Sequence, residues 1–236
     1  MISAMARNSV NSRRFGSALE PFSAAEWLFE DRPGSELASL REASVRRSFE
    51  GLRKDFGRLS IASAMNEIAL KVAPPGQHCE ELFLLHSNAL AALEELPEGG
   101  ADLALLNIYL LKLFRWYGSQ PPIEACLRCG LTLAGALEKN PGQKSVDGII
   151  ADSGWLCPEC GPAPTSDGPP VQVPLEALAD LMATAALPMR QAPRAARASR
   201  HAHERLLKYL ERLLAYHVPG FDRAALKSLR FVTRES

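Results

Sequence analysis

The sequence has no run of 18 or more apolar residues, the length a membrane-crossing helix needs. Its nearest approach, Leu103 to Phe114, is broken by Asn107 and Lys112, so no membrane span is expected. Met1 to Val10 lacks an apolar segment of the kind a secretory leader carries, so none is read there. Catalytic signatures are missing as well: there is no G-x-x-x-x-G-K-[ST], no G-x-G-x-x-G, no H-E-x-x-H and no G-x-S-x-G. Nothing in the chain argues for an enzyme. Cysteine is scarce, five in 236 residues, and four of the five fall into two short motifs, leaving Cys79 alone. That usage fits a reducing compartment, and a cytoplasmic location is expected.

The two motifs are Cys126-Leu127-Arg128-Cys129-Gly130 and Cys157-Pro158-Glu159-Cys160-Gly161, with 27 residues between Cys129 and Cys157. A C-x-x-C turn lets two thiolates converge on one ion at about 2.3 Å, and two such turns complete a tetrahedron. Glycine after the second cysteine permits the positive φ that wraps the chain around a metal. A redox C-x-x-C normally occurs once, beside a βαβ pattern, and no such pattern is visible; a pair of buried thiols is the blander alternative. The spacing therefore favours structural Zn2+ on Cys126, Cys129, Cys157 and Cys160, with iron in a rubredoxin-like site as the rival metal. With every position filled by sulfur, no site is left for an activated water, and the reading is a staple.

Charge of either sign is balanced in total but not in place. Residues 1–60 carry a net +2, residues 61–185 a net −9 and residues 186–236 a net +7. Such blocks allow local anion binding without a basic isoelectric point, although any single charge is more simply a solvated one.

Residues 2–9 and Ala25 to Glu30 read as short strands, Asp31-Arg32-Pro33-Gly34-Ser35 as a hairpin turn, and Glu36 to Val45 as a closing strand. From Ser48 the period becomes helical, with Leu52, Phe56, Leu59, Ala62, Met65 and Ala69 on one face until Pro74-Pro75-Gly76. A second helix is expected over Cys79 to Leu96. A third, Asp102 to Tyr117, is apolar on most sides and marks the centre of a helical core, with Leu103, Leu106, Leu110, Phe114 and Tyr117 inward. Ile149 to Leu156 reads as a short hairpin delivering Cys157, Gly161 to Val173 as a loop and Pro174 to Leu187 as a helix. Met189 to Ala198 reads as a mobile basic linker. The last helix, Ser199 to His217, places Leu206, Leu210, Leu213 and His217 on one stripe, with Arg205, Lys208 and Arg212 beside it, and Arg223 to Arg234 forms a basic tail. The fold class is α+β: a small N-terminal β domain over 1–47 and a mainly helical domain over 48–236, the cysteine module at 126–160 inserted in it.

The remaining candidates are weaker. Cys79 follows His78, but neighbours on a helix point apart, which argues against a nucleophile and its base. His201 and His203 read as a solvated helix start, and His217 as a favourable charge at a helix C-terminus. Arg7, Arg13 and Arg14 lie near Phe15, Phe22 and Trp27, a combination with which a small sheet can stack bases and neutralise phosphates. Aromatics in a short strand are nevertheless more often core.

Taken in order, these features resemble the RecO family of bacterial recombination-mediator proteins. Met1 to Arg7, Ser12-Arg13-Arg14-Phe15-Gly16 and Leu19-Glu20-Pro21-Phe22 are similar to its N-terminal OB-fold; Leu37 to Ala43 is similar to its strand-to-helix passage. The knuckles sit where members often carry a zinc module, and Ala215-Tyr216-His217 through Lys227-Ser228-Leu229-Arg230-Phe231 is similar to the family's ending. In the family a further segment precedes the part matching Met1. The resemblance therefore starts this chain inside the five-stranded OB barrel, late by roughly two strands. An incomplete OB-fold would expose a sheet edge that needs covering.

The resemblance implies a non-enzymatic DNA repair protein that binds single- and double-stranded DNA and anneals complementary strands. It implies RecR as a partner, RecF in some bacteria, and single-strand-binding protein on the strands where recombinase is loaded. Arg7, Arg13 and Arg14 are the expected phosphate contacts. Arg205, Lys208 and Arg212, with an apolar groove near Leu206, are the expected seat of the acidic tail of the single-strand-binding protein. The rival readings are a zinc-ribbon protein–protein adaptor and a thiol-dependent redox or metal sensor.

Overall fold

A computed structural model describes residues 4–6, 15–30, 33–34, 37–74, 77–97, 102–139, 141–161, 170–219, 221 and 227–232. The N-terminal part is a three-stranded sheet of β1 (Ala4–Met5), β2 (Ser23–Glu30) and β3 (Ala38–Ser48), in the order β1-β3-β2. β2 and β3 run antiparallel, Trp27 opposite Ala43, while β1 lies parallel to β3. The register slips between Ala24 and Ala25 and again between Leu28 and Phe29. Bulges of this kind add twist and break the alternation of faces, and Trp27, Leu28 and Phe29 are consecutively 42 %, 58 % and 37 % exposed. Of the expected strand over residues 2–9, Ala4–Met5 are strand and Ala6 is not, and the rest lies outside the described residues; Pro33 and Gly34 form a turn.

β3 ends at Ser48, and a 3-10 turn, Glu50–Arg53, intervenes before the first helix, so the helical period does not begin at Ser48. That helix, α1 (Phe56–Val72), starts where Asp55 accepts a hydrogen bond from the Arg58 N–H at 2.8 Å, an N-cap that satisfies one of the orphan donors of the first turn. Its buried face is Ile61, Ala62, Ala64, Met65, Ile68 and Val72, which keeps Ala62 and Met65 of the expected stripe, with Leu52 buried ahead of the helix; Phe56 is more than half exposed and meets the Phe231 ring edge-on at 6.1 Å. α2 (Glu80–Glu95) and α3 (Asp102–Tyr117) follow. α3 is buried nearly all round and touches α1 and α2, although Tyr117 stays exposed at its end.

The second sheet orders β5-β4-β6, all antiparallel, from β4 (Ser145–Ile149), β5 (Gly154–Leu156) and β6 (Val171–Pro174). β6 occupies part of the expected loop over 161–173. It is preceded by α4 (Leu133–Lys139) and followed by α5 (Leu175–Thr184), α6 (Ala192–Ala195), α7 (Arg200–His217) and α8 (Leu229–Val232).

The expected mobile linker over 189–198 is anchored instead. Met189, Ala192 and Pro193 are buried, and Asp180 accepts the N–H groups of Arg197 and Ala198 at 2.8 and 2.7 Å. The same carboxylate accepts from His203 Nε2 at 3.2 Å, and Asn107 donates its amide to His203 Nδ1 and to the His203 carbonyl at 3.2 and 2.9 Å. His203 is thus a core residue tying α3, α5 and α7, not part of a solvated helix start; His201 does remain exposed. Part of the expected basic tail forms α8, which α1 holds: the N–H groups of Lys227 and Ser228 donate to Glu67 at 3.3 and 2.9 Å. Phe22 and Phe49 bury into the same core as the helices, so the small sheet is seated on the helical body. Glu94 secures that seat by accepting from the Gly51 N–H at 2.8 Å and pairing with Arg47 at 3.4 Å.

Candidate metal centre and nucleic-acid surface

The knuckles bring Cys126, Cys129, Cys157 and Cys160 together, with all four sulfurs within 4.8 Å of one another. A regular tetrahedron with bonds of about 2.3 Å has edges of about 3.8 Å, and Cys129 and Cys157 are 3.6 Å apart. The donor set therefore fits one tetrahedral ion of the zinc or ferrous type.

Local sequence explains the convergence. Gly130 and Gly161 have φ of +71° and +63°, and the Gly130 N–H closes its turn on the Cys126 carbonyl at 3.0 Å. The first knuckle is bound to the second through the Leu127 N–H on the Trp155 carbonyl at 2.9 Å, and through Arg128, whose guanidinium donates to the Cys160 carbonyl. The expected hairpin, β4 into β5, does deliver Cys157, and Trp155 anchors it by donating Nε1–H to the Ile123 carbonyl at 2.9 Å from a fully buried position.

The electrostatics of the thiols are asymmetric. Burial raises Cys126, but backbone N–H groups of Cys129, Cys157 and Arg128 outweigh it and bring the thiol down to about 6. Burial and then the three neighbouring sulfurs push Cys160 up to about 12. The first thiolate is cheap and the last is resisted by the others, so a cation is the natural counter-charge for all four. Cys79 lies apart from this cluster, half-buried at the start of α2.

Arg7, Arg13 and Arg14 lie outside the described residues. Of the three nearby aromatics, Phe15 and Phe22 are core, whereas Trp27 stands out from β2 with Leu28 and Phe29. Arg41 and Arg46 on the neighbouring strand pair with Glu30 and Glu26. Arg205 is half-buried and donates to the Gln172 carbonyl at 3.3 Å, Lys208 is exposed and Arg212 half-buried, all on α7. Leu206, Leu210 and Leu213 beside them are fully buried, so the protein's own core fills the space where an open apolar groove near Leu206 was expected. Sequence reasoning did not find Arg128, Trp155, Asp180 or the Tyr109–His86–Asn66 chain described below. Only the position of Trp155 next to the second knuckle hinted at a role.

A cysteine-knuckle protein with an exposed aromatic strand and a helical body is the class this geometry defines. Residues 53–227 match the family described as Recombination protein O C terminal. The DNA repair protein RecO of Anaeromyxobacter dehalogenans (strain 2CP-C) is 34 % identical over 211 residues, covering 89 % of this chain and 79 % of that one. The DNA repair protein RecO of Rubrobacter xylanophilus is 31 % identical over 223 residues, covering 93 % and 82 %. That of Pelobacter propionicus is 37 % identical over 130 residues, or 55 % and 51 %. The chain belongs to the RecO family of DNA repair proteins. Among the described residues no helix is long and apolar enough to cross a membrane.

Proposed function

We propose that this chain is a non-enzymatic recombination mediator that binds single- and double-stranded DNA, anneals complementary strands and helps load recombinase onto strands coated with single-strand-binding protein. RecR is its partner in this reading, with RecF where the organism uses it, and its place is the cytoplasm at the nucleoid. The observation that carries the reading is the 34 % identity to a DNA repair protein RecO across 89 % of this chain. The exposed Trp27 and Phe29 support it, because a base can stack on an aromatic ring that the core has left free. Annealing needs a surface that neutralises two phosphate backbones without trapping either strand. Arg7, Arg13 and Arg14, beside that strand in sequence, are the phosphate contacts we assign to it.

In the same reading, residues 1–47 form a partial OB-fold domain and residues 48–236 a helical domain carrying the module at 126–160. Cys126, Cys129, Cys157 and Cys160 hold one structural Zn2+, which neutralises the thiolates and locks the two knuckles together; the protein does no chemistry there. Arg205, Lys208 and Arg212 receive the acidic tail of the single-strand-binding protein by charge alone.

The test is the rate at which labelled complementary oligonucleotides pair, measured over a range of salt. The expected result is acceleration at low salt that fades steeply as salt rises. A chain with no affinity for any DNA at low salt would instead be an adaptor.

A further inference from the structure

We propose that the groove between α1 and α2 is a docking site for a basic amphipathic helix of a partner protein. It is a cavity of about 340 Å³ lined by Asn66, Ala69 and Leu70 from α1 and by Leu82, Phe83 and His86 from α2. On each helix these residues share one helical stripe, and on α1 that stripe is distinct from the Ile61, Ala64, Ile68 and Val72 face that enters the core. Leu70, Phe83 and Leu84 are 56 %, 55 % and 50 % exposed, an apolar surface on two adjoining helices that the described elements leave uncovered. Two adjoining ridges of this kind accept a third helix lying between them, at the 8–10 Å spacing of ordinary helix packing.

The few polar groups at the groove are held in one orientation. The hydroxyl of fully buried Tyr109, on α3, donates to His86 Nδ1 at 3.1 Å, and His86 Nε2–H donates to Asn66 Oδ1 at 2.7 Å. Burial brings His86 down to about 4 and raises Tyr109, so the chain of donors keeps this sense at neutral pH. Asn66 lines the groove, and its amide nitrogen makes no hydrogen bond with a described residue. One fixed donor within an apolar cavity of this size is the composition of a site that orients what it binds.

Charge selects the occupant. Residues 61–97 contain a single cation, Lys71, against Glu67, Glu80, Glu81, Glu94 and Glu95. Glu94 and Glu95 pair with Arg47 and Arg190, and Glu67 holds the chain before α8. Glu80 and Glu81 are exposed in the first turn of α2, next to Leu82 and Phe83, and form no ion pair with a described residue. A DNA strand or an acidic peptide is repelled here. A helix with leucine or phenylalanine at i and i+4, lysine or arginine beside them, and a carbonyl or hydroxyl for Asn66 meets every feature of the surface.

The experiment titrates the full chain with a synthetic leucine/lysine amphipathic helix and with its leucine/glutamate twin, by calorimetry at physiological salt. The lysine peptide is expected to bind at least about tenfold more tightly than the twin, and Phe83→Asp or Leu70→Asp to weaken it by about tenfold or more. Both side chains are more than half exposed, and circular dichroism with metal content confirms that each variant is folded. The Glu80→Gln/Glu81→Gln pair should shrink the difference between the two peptides. Equal affinity for the twins, or unchanged binding to Phe83→Asp, overturns the proposal. So does sedimentation showing a dimer that Phe83→Asp disperses, since the occupant would then be a second copy of this chain.

Discussion

Replacing Gly148 by alanine tests how tightly the second sheet is set on α7. Gly148 lies mid-β4, and a Cβ there would stand 2.6 Å from Val173 Cγ2 and 2.7 and 2.8 Å from the Cε2 and Cδ2 ring carbons of Tyr209. Carbon pairs pack at about 3.5–4.0 Å, so the neighbours must yield by about an ångström. Neither can do so freely. Val173 is fully buried, and Tyr209 is buried and pinned by its hydroxyl, which donates to the Gly154 carbonyl at 2.8 Å. Overpacking of this kind costs about 1–3 kcal/mol, while a strand glycine replaced by alanine regains about 0.5–1 kcal/mol of backbone entropy. The expected net loss is about 1 kcal/mol. Measured by urea unfolding at a slope of about 2 kcal/mol/M, that lowers the midpoint by roughly 0.5 M. Adding Val173→Ala should recover part of the loss, a coupling that a double-mutant cycle reads directly. An unchanged midpoint for Gly148→Ala would refute the close approach of β4 to α7, and with it the way the metal hairpin is seated.

Other perturbations reach different parts of the structure. His86 is held near a pKa of about 4, below its unfolded value of about 6.5, so the unfolded chain binds the proton more readily between those values. Stability should therefore fall by up to about 3 kcal/mol as pH drops from about 6.5 to about 4, and His86→Gln should flatten that part of the profile. Asp180→Ala strips three donors, the part-buried N–H groups of Arg197 and Ala198 and the buried His203 ring, of their acceptor and should cost about 3 kcal/mol by chemical denaturation; a loss under about 1 kcal/mol would contradict the anchoring role. Trp27→Ala should weaken single-strand binding by about 1–3 kcal/mol in a fluorescence titration while leaving the melting temperature in place, because the ring is not core.

Features fixed by local chemistry were legible in the sequence. The knuckles follow from spacing and their glycines, the β4–β5 hairpin from the Asp152-Ser153-Gly154 turn ahead of Trp155, and α3 from its apolar composition. The two polar breaks in α3 are informative in hindsight: Asn107 holds His203 in the core, and Lys112 donates to the Ala185 carbonyl at 2.7 Å, meeting an orphan acceptor beyond α5. What could not be read depends on residues far apart in the chain. His203 is buried by Asp180 and Asn107, which lie 23 and 96 positions away. Phe56 faces outward because Phe231 meets it there. The segment around Pro193 reads as a linker until Asp180 supplies its backbone with a partner. The leucine stripe of α7 gave no sign of which apolar surfaces would stay open; the groove lies between α1 and α2 because the core takes the opposite faces of those helices.

The central physical claim is that four sulfurs share one ion and so bind the two knuckles into one unit. X-ray absorption at the metal edge of the purified, reduced chain tests it most directly. The account predicts one zinc per chain in a shell of four sulfurs at about 2.3 Å, lost together with the fold of the module on chelation. A shell containing oxygen or nitrogen, or a metal-free chain whose module is folded and unchanged, would contradict it.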